Sequence, residues 1–265
     1  PHLLHLHEVY RALLKQRSQR GAMDFESSET QIVCDENGRI EKIVPRTRTE
    51  AHRLIEEAML AANVCSADFI AQGGQPGLFR VHEGPTPEKQ EILRGYLKAM
   101  AVGMTIGDNP HPSEFQAIAE ATKDRPDAQQ IHTMLLRSMQ QAIYTPVNAG
   151  HFGLAFDAYT HFTSPIRRYP DLLVHRVIKA ILDKSKYKLP ALPTPGEAHA
   201  KLAKRLAARV AAPGTKPRQN VAPPSRDTQA WEAAGLHCSA NERRADEASR
   251  DVEAWLKCKY MREHL

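Results

Sequence analysis

The residues His161-Phe162-Thr163-Ser164-Pro165-Ile166-Arg167-Arg168-Tyr169-Pro170-Asp171 set two guanidinium groups and three hydroxyls on one short turn. That is chemistry for an anion. A guanidinium is a planar fork of N–H donors that matches the oxygens of a phosphate or carboxylate, and its charge survives at any physiological pH. Thr163, Ser164 and Tyr169 can donate to the same oxygens. An isolated Arg-Arg pair on a surface turn more often meets carboxylates of its own chain, so the neighbours of this pair decide its meaning.

Those neighbours form a scaffold. Pro170 and Asp171 mark a helix start, because proline lacks the N–H that a first helical residue leaves unpaired and an early carboxylate suits the positive helix end. Leu172, Leu173, Val177, Ile178 and Ile181 then recur at helical spacing, which predicts a packed helix from Pro170 to about Asp183. Before the turn, His151 to His161 alternates like a strand pair.

Upstream, Leu6, Val9, Tyr10, Leu13 and Leu14 predict a helix with a basic end at Arg17 and Arg20, stopped by Gly21. Asn37-Gly38 between two alternating segments predicts a hairpin from about Thr30 to Val44. Leu54, Ile55, Ala58, Met59, Ala62 and Phe69 predict a helix from Thr49 to about Gln72, followed by a short strand over Leu78 to His82. Pro87 to Tyr144 divides into three helices, broken near Gly103 to Pro112 and at Arg125-Pro126-Asp127. Two proline-rich breaks bracket a basic helix, Glu197 to Val210, and a closing helix begins at Asp227 with Ala233, Leu236, Ala240, Ala245, Ala248, Val252, Trp255 and Leu256 expected on its buried side. The class that results is α+β, a mixed sheet with surrounding helices.

The composition, 42% hydrophobic and 25% charged over 265 residues, is that of a soluble globular chain. No apolar run approaches a membrane span, so no membrane partner is expected. Cys34, Cys65, Cys238 and Cys258 lack metal-ligand spacing, which favours reduced thiols and a cytoplasmic setting. His2 and His5 are three apart without a third ligand, so they define no metal site. A net charge of +5 favours an anionic partner. Much of the excess lies in a basic, proline-rich segment at about 184–227, where either nucleic-acid contact or a solvated linker accounts for the charge.

The arginine turn, continued through Leu172 and His175-Arg176, resembles the signature of the RNB family of exoribonucleases. Glu56-Glu57-Ala58-Met59-Leu60-Ala61-Ala62-Asn63 resembles that family's glutamate helix. His151-Phe152-Gly153-Leu154 and Glu242-Arg243-Arg244-Ala245-Asp246-Glu247 follow in the family's order, as does Asp251-Val252-Glu253-Ala254-Trp255-Leu256. The resemblance implies the C-terminal part of a catalytic domain that processively hydrolyses single-stranded RNA, 3′ to 5′, to nucleoside 5′-monophosphates. It implies that Arg167 is catalytic, steadying the scissile phosphate, and that Glu56 contacts the ribose, where a carboxylate accepts from the 2′-hydroxyl. It puts Phe25 at an aromatic clamp on the stacked bases, with a strand-edge core position as the competing reading. Arg168, Ser164, Thr163, His161 and Tyr169 are substrate-contact candidates. For Arg168 a structural carboxylate partner competes evenly, and for the others turn formation or packing does.

One departure matters. The family holds Mg²⁺ on clustered aspartates that have no counterpart in this sequence, and Asp35-Glu36-Asn37-Gly38, the nearest imitation, reads as a hairpin turn. The family's cold-shock modules and C-terminal oligonucleotide-binding barrel have no counterpart either. These 265 residues by themselves are therefore expected to be inactive and monomeric. The alternatives are a noncatalytic RNA-binding or scaffolding fragment, and a helical protein-interaction module.

Overall fold

The computed structural model describes residues 2–23, 30–190 and 226–264. The elements run α1 (His2–Arg20), β1 (Thr30–Cys34), β2 (Ile40–Pro45), α2 (Glu50–Gln72), β3 (Phe79–Val81) and α3 (Pro87–Ala99). They continue through α4 (Pro112–Thr122), α5 (Ala128–Ser138), β4 (Ile143–Thr145), a 3₁₀ turn (Phe152–Leu154), α6 (Tyr169–Leu182) and α7 (Arg226–His264). Phe25, the helix expected at Glu197 to Val210 and most of the basic proline-rich segment lie outside the described residues.

Local chemistry accounts for the helix ends. Gly21, at φ 79°, takes the left-handed conformation that closes α1. Thr49 and His52 cap each other reciprocally at the start of α2, and Thr86 caps α3 ahead of Pro87.

The α+β class holds, but the described strands form two antiparallel ribbons, β1-β2 and β3-β4, in place of one mixed sheet. A parallel bridge between His82 and His151 is the trace of mixed pairing. The third helix of the Pro87–Tyr144 region stops at Ser138, and Ile143 and Tyr144 pair with β3 instead. Nor does His151 to His161 form a strand pair. Its pairing is limited to one antiparallel bridge between His151 and Phe156, since Gly150 and Ala155 adopt positive φ and the Nδ1 atoms of His82 and His151 accept from the amides of Gly153 and Leu154.

The two larger of three cores hold most of these elements together. Leu93, Leu97, Phe115, Ile118, Ile131 and Leu135 knit α3, α4 and α5 into one. Ile70, Leu78, Tyr144, Leu173, Val174, Val177 and Trp231 join α2, the ribbon β3-β4, α6 and the first turns of α7 in the other. This second core carries the arginine turn.

Three helices depart in part from the buried faces expected. On α1, Tyr10 is buried as expected and Leu6, Leu13 and Leu14 are half-buried, but Val9 is exposed and the polar Arg17 is buried. On α2, Ile55 and Phe69 face solvent and the buried stripe runs Glu57, Leu60, Asn63, Ala67 and Ile70. On α7, burial ends near Ala240, leaving Val252 and Trp255 exposed.

Candidate functional site

Arg168 is the N-cap of α6, yet no side chain caps the helix from that position. Asp171 does related work from inside the first turn. Its fully buried Oδ1 accepts from the Ser164 amide at 2.8 Å and from Arg168 Nη2 at 2.7 Å. The Arg168 amide donates to the Ser164 carbonyl at 3.0 Å. Together these bonds close the base of the loop Pro165-Ile166-Arg167, whose apex stands in solvent with Ile166 at 102% exposure.

The neighbouring arginines therefore differ. Arg168 is held by a buried carboxylate and is mostly withdrawn from solvent, its side chain being 19% exposed. Arg167 is exposed and, among the described residues, meets no carboxylate within ion-pair distance. Three polar atoms at the base, Thr163 Oγ1, Arg168 Nε and Asp171 Oδ2, are buried without a hydrogen-bond partner.

The strand-like approach to the turn is fixed from two sides. Asn63, buried on α2, donates to Tyr159 Oη at 2.9 Å and accepts from the Phe162 amide at 2.9 Å. His175 Nε2 donates to the Phe162 carbonyl at 2.8 Å while its ring stacks on the Phe162 ring at 4.1 Å. Tyr159 is consequently a core residue.

His161 stands between turn and ribbon. Its Nδ1 lies 2.8 Å from Tyr144 Oη, and Tyr144 donates to Glu242 Oε1 at 3.2 Å. Arg80 pairs with the other Glu242 oxygen at 2.7 Å and lies over the Tyr144 ring at 4.5 Å. Burial first, and then the charges of Arg168, Arg80, His151 and Arg167, push His161 down to about 2, so its imidazole is neutral at physiological pH. Burial and the neighbouring His82 and Arg80 likewise push His151 down to about 3. Burial raises the Tyr144 phenol well above its ordinary range.

Glu56 and Asn63 are seven residues apart on α2 and share a face, which puts Glu56 about 10 Å along the axis from the contact that holds Phe162. The Glu56 carboxylate is not bare. Arg17 Nη1 donates to Oε1 at 3.1 Å and Arg48 Nη2 to Oε2. A carboxylate has roughly four acceptor positions, so both oxygens keep capacity for a hydroxyl donor. Glu57, its neighbour on the helix, is buried and bonded to Arg17 at 2.7 Å.

The structure thus gathers Thr163, Ser164, Arg167, Arg168, Tyr169 and His161 at one end of α6, with Tyr169 partly exposed in its first turn. Glu56 belongs to the adjacent helix, and Phe25 lies outside the described residues. Sequence alone did not single out Arg17, Asn63, Asp171 as an anchor, or the Arg80–Glu242 pair. Polar residues at core spacing on α2 were the available signal. Among the described residues no three His, Cys, Asp or Glu side chains gather in a form that holds a metal ion, so these residues do not fit a resident Mg²⁺.

A family model for the RNB domain matches residues 1–184, and the chain belongs to that family. Ribonuclease R of Escherichia coli is 42% identical over 98% of this chain and 29% of its own length. Ribonuclease R of Vibrio cholerae is 40% identical over 100% of the chain and 29% of its own. The chain therefore spans under a third of these curated relatives. In structure it is similar to apo RNase R of Mycoplasma genitalium, with a TM-score of 0.75 and 24% identity, over 97% of this chain and 35% of the other. The same protein in complex with double-stranded RNA aligns with a TM-score of 0.76 and 23% identity, over 96% of this chain and 40% of the other.

Proposed function

We propose that this chain is the C-terminal part of the catalytic domain of a processive 3′-to-5′ exoribonuclease, with an insertion at about 184–227, that hydrolyses single-stranded RNA to nucleoside 5′-monophosphates in the cytoplasm as a monomer. The ribonuclease R relatives support that class, and the RNA complexes of the Mycoplasma protein support RNA as the partner. The observation that carries the proposal is the exposed Arg167 guanidinium, held on a closed loop and unclaimed by any carboxylate among the described residues.

In this reading Arg167 donates to the scissile phosphate as negative charge develops, a role that demands a cation with no internal partner. Ser164 and Tyr169 contact neighbouring phosphate or sugar oxygens, neutral His161 and Thr163 line the base of the turn, and Arg168 adds charge while it holds the fold. Glu56, oriented by Arg17 and Arg48, accepts from the ribose 2′-hydroxyl. Phe25 stacks on a base. Mg²⁺, implied by the family resemblance, would supply water activation, and the roles of these residues do not depend on it. These 265 residues alone should bind RNA without cleaving it.

The test is a titration of labelled single-stranded RNA with the 265-residue chain at two salt concentrations, with released mononucleotides measured in parallel. The expected result is affinity that falls as salt rises, with no nucleotide release. Affinity indifferent to salt would remove the phosphate-site reading, and Mg²⁺-dependent release abolished by Arg167→Ala would show that the isolated chain is itself an enzyme.

A further inference from the structure

We infer that Asp171 is the positioning residue of the phosphate site, fixing where the Arg167 guanidinium stands by gripping both sides of the loop that carries it. The inference rests on the role proposed for Arg167.

Among the described residues, none covers the apex of this loop. Ile166 is fully exposed and Arg167 has no ion-pair partner among the described residues. Its position is set at the base, where Asp171 Oδ1 takes the Ser164 amide on the incoming side and the Arg168 guanidinium on the outgoing side. An acidic side chain at the third helical position ordinarily folds back to the N-cap amide. Here it reaches past the N-cap, to a residue seven earlier in the chain, and thereby ties the loop to α6.

The anchor itself is firm. Asp171 is wholly buried, and its flanks Leu173, Val174 and Val177 belong to the core shared with α2, β4 and α7. The bonding at the base is also incomplete, since Asp171 Oδ2, Arg168 Nε and Thr163 Oγ1 are buried without partners. Buried polar atoms are rarely left so, and when they are the cause is worth seeking at the site. A neutral acceptor at 171 would satisfy the Ser164 amide equally well. An anion holds the Arg168 guanidinium roughly twice as strongly as a neutral acceptor would. A displacement of about 1 Å in a catalytic group is enough to cost roughly 10²-fold in rate.

The experiment uses the full-length protein, a labelled poly-A oligonucleotide, single-turnover hydrolysis, equilibrium binding and thermal unfolding. Asp171→Asn, Arg167→Lys and the double variant are compared with the parent. Asp171→Asn should slow single-turnover hydrolysis on the order of 10²-fold and leave binding within about threefold, as one loop among many phosphate contacts should. In the Arg167→Lys background the same substitution should cost under about threefold, because its effect runs through Arg167.

Parental turnover by Asp171→Asn, or an equal loss in both backgrounds, overturns the inference. Should Asp171→Asn fail to unfold cooperatively, Asp171→Glu keeps the charge but moves it by one methylene, and full-rate hydrolysis by that variant overturns the inference equally. If Arg167→Lys itself turns over at the parental rate, the role of Arg167 fails and the inference goes with it. If Arg167→Lys is slow and Asp171→Asn is not, only the role of Asp171 fails.

Discussion

At Arg168 the guanidinium is bound to Asp171 and mostly withdrawn from water, whereas Arg167, one residue earlier, is exposed and meets no carboxylate among the described residues. The exposed Arg167 can turn its donors toward a phosphate, whereas Arg168 already gives one to Asp171. The two glutamates of α2 divide in the same way. Glu57 is 4% exposed and bonded to the buried Arg17, while Glu56 is partly exposed and keeps spare acceptor capacity. We expect Glu57→Gln to destabilise the fold by about 3 kcal/mol, the cost of leaving a buried charge with a poorer partner, measured by urea unfolding. Glu56→Ala should cost under about 1 kcal/mol and, in the full-length protein, narrow the preference for RNA over DNA. An unchanged preference would return Glu56 to an ordinary helix face.

At the scale of elements, α7 presses on β4 at a point with no room for a side chain. A Cβ on Gly235 would stand 2.5 Å from the Tyr144 carbonyl oxygen and 3.0 Å from its carbon. Gly235→Ala gains about 1 kcal/mol of helix propensity but forces two backbones apart, a strain of roughly 1–3 kcal/mol. We predict a lower Tm for it, because the shift would also disturb Tyr144 and its contact with His161; a raised Tm would contradict this packing. Helix positions were legible because apolar spacing, caps and breakers act locally, as at Gly21, Thr49 and Pro87. The buried faces of α1 and α2 were not, because Arg17, Glu57 and Asn63 are buried by partners far along the chain, Phe162 being ninety-nine residues from Asn63, and no local pattern announces a satisfied polar core. The far half of α7 misled for the opposite reason, since Val252 and Trp255 keep apolar spacing without burial. The arginine turn was recognisable by residue type, while the unequal burial of its arginines needed Asp171 in place.

For the molecule as a whole, a +5 charge and a cationic loop beside buried neutral histidines give two dependences on solution conditions. The first, on salt, is the one expected of the RNA affinity proposed for the chain. The second is on pH. His161 and His151, held down to about 2 and about 3, stay unprotonated in the fold, while in the unfolded chain each takes a proton near pH 6.5. The unfolded state therefore binds more protons below that pH. Stability should be full above about pH 7 and drain as pH falls from about 6.5 toward 3. A Tm that drops between pH 7.5 and pH 5, with a shallower drop for His151→Gln, is the expected result; a flat Tm would show that these imidazoles are not neutral in the fold.

Arg167 serves the reaction in the proposed function and Arg168 serves the fold, and comparing Arg167→Lys with Arg168→Lys in the full-length protein tests that division most directly. Lysine keeps the charge and loses the planar fork. Arg167→Lys should lower turnover of a poly-A oligonucleotide on the order of 10²-fold or more, with RNA affinity and Tm nearly unchanged. Arg168→Lys should lower Tm before it lowers turnover. Parental turnover by Arg167→Lys, or losses of binding and turnover in equal proportion, would contradict the assignment of Arg167 to the reaction.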